Sequence, residues 1–180
     1  MFPMTSSSAP TDLDRQVLEF LQRAFEVARA GDAAELRVML DQGLPLNVRN
    51  QKGDTLLMLA VYHSHLDATR LLLERGADAS IANDMGQTPL QAAAFKGELP
   101  MVQLLLDHGV DVESRGPTGR TALMFAAMFA RLDILELLLE RGADLQARDS
   151  AGTSALDAAR TMNAQPSVTW LEERLARSSG

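Results

Sequence analysis

The sequence contains no cysteine. That absence excludes disulfide staples, thiolate metal sites and thiol nucleophiles together, and it leaves the redox compartment open. Positive charge is also in deficit: the net charge is -7 and the pI about 4.9, so the global field does not recruit nucleic acid or an anionic membrane. Lysine supplies only two of the 17 basic residues. The arginine bias and the abundance of alanine suit a GC-rich bacterial genome. Long apolar runs are missing as well, and a spanning helix would need one of roughly 20 residues. The opening MFPMTSSSAPTDLD has no basic segment followed by an apolar one, so a secretory leader is not expected there. A cytoplasmic protein is the expectation, with the periplasm open if a leader has been removed. At 180 residues the chain can bury a continuous core.

What the sequence does contain is a period. Gly53, Gly86, Gly119 and Gly152 are evenly spaced, and Gly43, Gly76, Gly109 and Gly142 follow at the same interval. Thr55, Thr88 and Thr121 share one register position, Ala60, Ala93 and Ala126 another, and the runs Leu71-Leu72-Leu73, Leu104-Leu105-Leu106 and Leu137-Leu138-Leu139 a third. A turn, a short helix, a second helix and a closing glycine every ~33 residues is the ankyrin interval. The chain resembles the ankyrin repeat family through GQTPLQAAA (Gly86 to Ala94), RGAD (Arg75 to Asp78 and Arg141 to Asp144) and HGVD (His108 to Asp111). The implied fold is all-α, an α-solenoid of about five helix-turn-helix units with hairpin-like β-turns.

Residues 1–10 are Ser/Pro-rich with nothing to bury, and a disordered tail is expected. The expected single domain spans 11–180. Residues 11–49 form an N-terminal cap unit, with a T-x-x-D start at Thr11 and apolar residues at helical spacing, Leu13, Val17, Leu18, Phe20, Leu21, Ala24, Phe25 and Ala28. Its second helix is expected over about 33–40. Full repeats occupy 50–82, 83–115 and 116–148, and 149–180 form a degraded C-terminal cap unit. Threonine is placed to cap each inner helix, and Pro89 suits a first helical position. Trp170 falls where the other units carry leucine, so it is expected to fill the core.

The chain departs from the family in one respect. The family usually has a histidine after T-P-L that bonds across the hairpin; here Met58, Gln91, Met124 and Asp157 stand at those positions. That network is expected to be weaker or rebuilt.

The resemblance implies that a partner protein is gripped by the hairpin tips and the exposed ends of the inner helices. Carried over by register, the partner-binding candidates are Lys52, Tyr62, His63, Arg75, Met85, Phe95, Lys96, His108, Arg120, Met128, Phe129 and Arg141. Tyr62, Phe95 and Phe129, with Met85 and Met128, would form an apolar ridge; the alternative is that some turn inward to fill space left by the missing histidines. Lys52, Arg75, Lys96, Arg120 and Arg141, with His63 and His108, are expected on the groove side, and the acids of the outer helices on the opposite face. The expected partner is a protein with an acidic segment and apolar anchors, held by a chain that is monomeric when free. A homodimerising structural role, or service as an accessory to a bacterial antioxidant enzyme such as catalase, is the alternative implied by likeness to other short bacterial ankyrin proteins.

No catalytic, cofactor or metal site is expected. His63 and His65 are two apart and should diverge on a helix, and SRGPTGRT (Ser114 to Thr121) lacks the first glycine and the lysine of a phosphate-binding loop. No nucleophile, base and orienting group fall together in the repeat.

Overall fold

The computed structural model describes residues 11–178; the tail expected over residues 1–10 lies outside them. The described residues form ten α-helices: α1 (Asp12–Ala30), α2 (Ala33–Asp41), α3 (Leu56–Tyr62), α4 (Leu66–Glu74), α5 (Pro89–Lys96), α6 (Leu99–Asp107), α7 (Ala122–Met128), α8 (Leu132–Glu140), α9 (Ala155–Thr161) and α10 (Gln165–Ser178). The odd-numbered helices stack on one another in an inner row, α1 on α3 through to α9, and the even-numbered helices stack in an outer row. Each helix pair meets only its neighbours. The fold is therefore an all-α repeat solenoid, in which the buried area of each unit is supplied by the units beside it.

Why such short helices hold is a matter of burial. The inner helices α3, α5 and α7 have seven or eight residues, too few to persist alone in water. Each is sandwiched, however, and Leu56 to Val61, Pro89 to Ala94 and Ala122 to Ala127 are buried throughout. Ala60, Ala93, Ala94, Ala126 and Ala127 are all fully buried, and their small side chains let neighbouring backbones approach. The outer helices are amphipathic instead: Leu71 and Leu72 of α4 face inward while Asp67 and Glu74 face water. Gly76, Gly109 and Gly142 close them in the left-handed conformation, with φ of 87°, 78° and 91°.

The caps form as the sequence predicts, with one variation. The hydroxyls of Thr55, Thr121 and Ser154 accept from the amides of Met58, Met124 and Asp157 at 3.1, 3.3 and 3.1 Å. At α5 the bond runs in the opposite direction: Thr88 N–H donates to Gln91 Oε1 at 2.9 Å. The Gln91 amide then donates to the carbonyls of Ser114, at 3.2 Å, and Arg120. This fully buried glutamine thus ties α5 to the next hairpin. Asp157 likewise accepts from Ser154 N–H and its hydroxyl at 3.1 and 2.7 Å. The network of the absent histidines is rebuilt at those two positions, while Met58 and Met124, 2% and 1% exposed, replace it by packing.

The hairpins stack edge to edge. Asp84 N–H donates to Lys52 O and Ser150 N–H to Thr118 O, both at 3.0 Å. Inside the first, second and last hairpins an Asn50, Asn83 or Asp149 oxygen accepts two backbone N–H groups at 2.9 to 3.1 Å. Gly116 holds that register position in the third hairpin, and there a Cβ would collide with the Gly86 carbonyl. The third hairpin therefore exchanges a side-chain tie for a close backbone approach.

The two ends differ. At the C-terminus Val168 and Leu171 of α10 are buried, and Trp170 packs against the core with the Arg174 guanidinium 4.5 Å from its ring centre. At the N-terminus, α1 has 19 residues. In the repeat register its last turns match α3, and the extension ahead of them stands where a hairpin would otherwise be.

Candidate functional site

The hairpin tips and the C-terminal ends of the inner helices line one side of the stack. Nine of the twelve candidate residues belong to these segments: Lys52, Tyr62, His63, Met85, Phe95, Lys96, Arg120, Met128 and Phe129. Successive units meet there diagonally. Lys96 Nζ stands 5.1 Å from the Tyr62 ring centre, and Phe129 meets Phe95 edge-on at 4.8 Å, so Tyr62 and Phe95 each meet a residue from the next repeat. Phe95 and Phe129 are half-buried and packed on the core. Tyr62 is 42% and Met85 77% exposed. The aromatic row is thus split into a packed C-terminal half and an open N-terminal half.

The remaining three candidates stand elsewhere. Arg75, His108 and Arg141 are the C-cap residues of α4, α6 and α8, in the outer row. Arg75 pairs with Asp41 at 2.8 Å and Arg141 with Asp107 at 2.7 Å, each linking one outer helix to the one before it. His108 Nδ1 lies 2.9 Å from Leu104 O. The Arg141 guanidinium and the Gln103 amide hold the Asp107 carboxyl below its ordinary range. Arginine at these positions complements helix carbonyl ends, so the outer row carries cations as well as acids and the expected charge split is less clean. Arg120, on the groove side, pairs with Asp149 at 3.4 Å.

The histidine pair corrects the expectation of divergence. His63 is the C-cap of α3 and His65 the N-cap of α4, and Ser64 between them has φ of 63°. That left-handed residue turns the chain back, so the two rings lie nearly parallel with centres 6.2 Å apart. His65 Nε2 bonds Arg29 O at 2.8 Å, joining the first two units. Burial, then His65, Arg29 and Lys96, push the His63 pKa down, with Asp54 opposing. Among the described residues no group of three or more His, Cys, Asp or Glu side chains is arranged to hold a metal.

A cleft of about 710 Å³ opens at the N-terminal end of this side. One wall is α1, with Leu18, Leu21, Phe25 and Arg29; the other is the first hairpin with Val48 and Lys52; Met58, Leu59, Tyr62 and His63 of the α3 segment form the floor, and Met85 stands at the rim. The α1 residues were not singled out from the sequence as contact residues. The available signal was an apolar stripe that continues ahead of the repeat register, at Leu13, Val17 and Leu18. Those three are 69%, 50% and 53% exposed. Arg49 and Arg115 were also overlooked: they share one register position two repeats apart, and each reaches a carbonyl of the next repeat, Ala82 O at 3.2 Å and Arg148 O at 3.1 Å. Both thereby support the stacking of the hairpins.

Paired helices, a constant repeat length and stacked hairpins define a repeat solenoid. Ankyrin-repeat family models match residues 24–116 and 75–149, and the chain belongs to the ankyrin repeat family. An ankyrin repeat protein of Pseudomonas aeruginosa is 51% identical over 67 residues, covering 37% of this chain and 39% of that protein. The match thus spans well under half of that relative's length. Ankyrin repeats mediate protein–protein interaction, typically without catalysis of their own. No helix among the described residues is long and apolar enough to cross a membrane.

Proposed function

We propose that the side formed by the hairpin tips and inner-helix ends holds a partner protein, with Tyr62 and Met85 as apolar anchors and Lys52, Lys96 and Arg120 as the cationic surround. The observation that carries this reading is the exposure of Tyr62 and Met85 beside a lysine stacked on the tyrosine ring. Large apolar side chains left in water beside cations are what an interface with an acidic, apolar-anchored partner would cover. Phe95 and Phe129 then act as support, keeping the inner-helix ends rigid beneath the contact. Arg75, His108 and Arg141 serve the stacking of the outer row.

Affinity capture with mass spectrometry from the source organism tests the reading, comparing the wild type with a Tyr62→Ala/Met85→Ala variant. Truncating such anchors typically costs about 1–2 kcal/mol each in binding. A partner retained by the wild type and lost by the variant, with far-UV circular dichroism unchanged, is the expected result. Equal recovery by both would remove this surface from consideration. For the cationic surround, the association rate with the captured partner should fall as salt is raised.

A further inference from the structure

The α1 extension has an unusual position. Each later inner helix is preceded by a hairpin, whereas α1 is preceded by more helix, and the added turns carry Leu13, Val17 and Leu18 largely in water. Leu13, Val17, Leu21 and Phe25, at i, i+4, i+8 and i+12 with Leu18 beside them, form one stripe that runs about 18 Å along the helix and enters the cleft opposite the first hairpin. A helix of this kind normally buries such a stripe against another element. At the inner end of the stripe cations outnumber acids: Arg29, Arg49 and Lys52 line the cleft against Glu26 and Asp54. Arg29, Lys52 and Lys96 enter no ion pair among the described residues, and Lys96 Nζ stands over the Tyr62 ring. His63 adjoins them, flanked by Arg29, His65 and Lys96. The nearby acids are Glu26 and Asp54 on the cleft wall, the latter accepting from the side-chain amides of Asn50 and Asn83 at 3.3 and 3.0 Å, and Asp84, which pairs with Arg49 at 3.2 Å.

We infer that this cleft is a docking site for an amphipathic helix of a partner protein, its apolar face laid along Leu13, Val17, Leu18 and Leu21 and its acidic end received by Arg29, Lys52 and Lys96. The inference rests on the proposed function and names the chemistry of the partner. Helix-in-groove recognition seats the i, i+3, i+4 and i+7 anchors of the docked helix in an apolar groove, and Leu18, Leu21 and Phe25 make this wall apolar. The chain's own first ten residues, MFPMTSSSAP, contain no Asp or Glu and so offer the cations nothing; charge complementarity selects an acidic segment from another chain.

The test uses two fluorescein-labelled helical peptides with leucine at i, i+3, i+4 and i+7, one ending in glutamates and its twin in lysines. Fluorescence anisotropy with the full chain should show the glutamate peptide binding at least tenfold more tightly. Val17→Glu/Leu18→Glu, at half-exposed positions, should lose that binding by tenfold or more while circular dichroism and the urea midpoint stay unchanged; Lys52→Ala/Lys96→Ala should weaken the glutamate peptide and strengthen the twin, whose lysines no longer meet like charge. Equal affinity for both peptides, or indifference to Val17→Glu/Leu18→Glu, overturns the inference. Tenfold tighter binding after deletion of residues 1–10 would make that segment the occupant, and a doubled mass in sedimentation that Val17→Glu/Leu18→Glu restores to single would make a second copy the occupant; either result also overturns it. Loss of a captured partner on Tyr62→Ala/Met85→Ala but not on Val17→Glu/Leu18→Glu would leave the proposed function standing and this inference alone refuted.

Discussion

The two ends of the stack solve the same problem in different ways. A terminal unit has a neighbour on one side only, so its other face must suit water. At the C-terminus α10 buries Val168 and Leu171 and turns Glu172, Glu173 and Arg177 outward. Arg160–Glu172 at 2.7 Å and Arg174–Glu136 at 3.1 Å tie it to its neighbours. At the N-terminus α1 buries Ala24, Val27 and Ala28 where it meets α3, then continues outward with apolar residues still in water. One end is finished as a cap and the other is left open. The difference teaches that composition alone does not make a cap; both helices are amphipathic, but only α1 leaves large apolar side chains exposed.

The contrast breaks most readily in stability. Leu171 is fully buried, so Leu171→Ala should cost about 2–4 kcal/mol in urea unfolding, whereas Leu18→Ala should change it by less than about 0.5 kcal/mol. Similar losses at the two positions would mean that α1 is covered after all.

Between the two ends, Gln91 ties the middle repeat to the next hairpin. Gln91→Leu keeps the volume but strands Thr88 N–H and the carbonyls of Ser114 and Arg120, so a loss of about 1–3 kcal/mol is expected. Met124→Leu, where the same register position is filled by packing alone, should cost less than about 1.5 kcal/mol. If both substitutions are equally mild, the glutamine network is not what links the halves.

Acid should weaken the two ends in different windows. His63 has its pKa lowered by burial and neighbouring cations, so the folded state takes up its proton less readily than the unfolded chain, and stability falls as pH drops below about 6.5. Asp149 and Asp157 have theirs lowered, chiefly by hydrogen bonds from Thr153 N–H and the Ser154 hydroxyl; the stability they contribute is present above the ordinary carboxylate value and is lost only below about pH 4. Urea midpoints between pH 7.5 and 5 should therefore fall less for His63→Gln than for the wild type, while Asp157→Asn should flatten only the profile below pH 4. A His63→Gln profile parallel to that of the wild type would sink the first half of this prediction.

The smallest effect sharpens the comparison without disturbing the fold. Val17→Glu/Leu18→Glu should shift the unfolding free energy by no more than about 0.5 kcal/mol and reduce binding of an apolar dye such as ANS, while the same change at Val168 and Leu171 should unfold the last unit.

Much of this was legible in the chain. The glycine and threonine spacing placed the helix pairs of the three central repeats, since a solenoid repeats one local solution and each copy confirms the others. The second helix of the first unit, expected over about 33–40, runs Ala33–Asp41. The site was less legible because register assigns a residue to a position but not to a neighbour. Tyr62 and Phe95 share a register position, yet one stands in water and the other packs against Phe129. Arg75 and Arg141 were assigned to the groove by register, but both reach an aspartate in the outer row.

The sequence by itself determined the period, the closing glycines of the outer helices, most of the caps and the family, because each depends on backbone preferences within a few residues or on a pattern copied unit after unit. The tertiary structure decided what stands at the junctions between units: the return of the chain at Ser64 that stacks two histidines, the glutamine that replaces a histidine network, and the open wall of α1. Those features arise where side chains from neighbouring repeats meet, and whether a given leucine is covered depends on what the stack places opposite it.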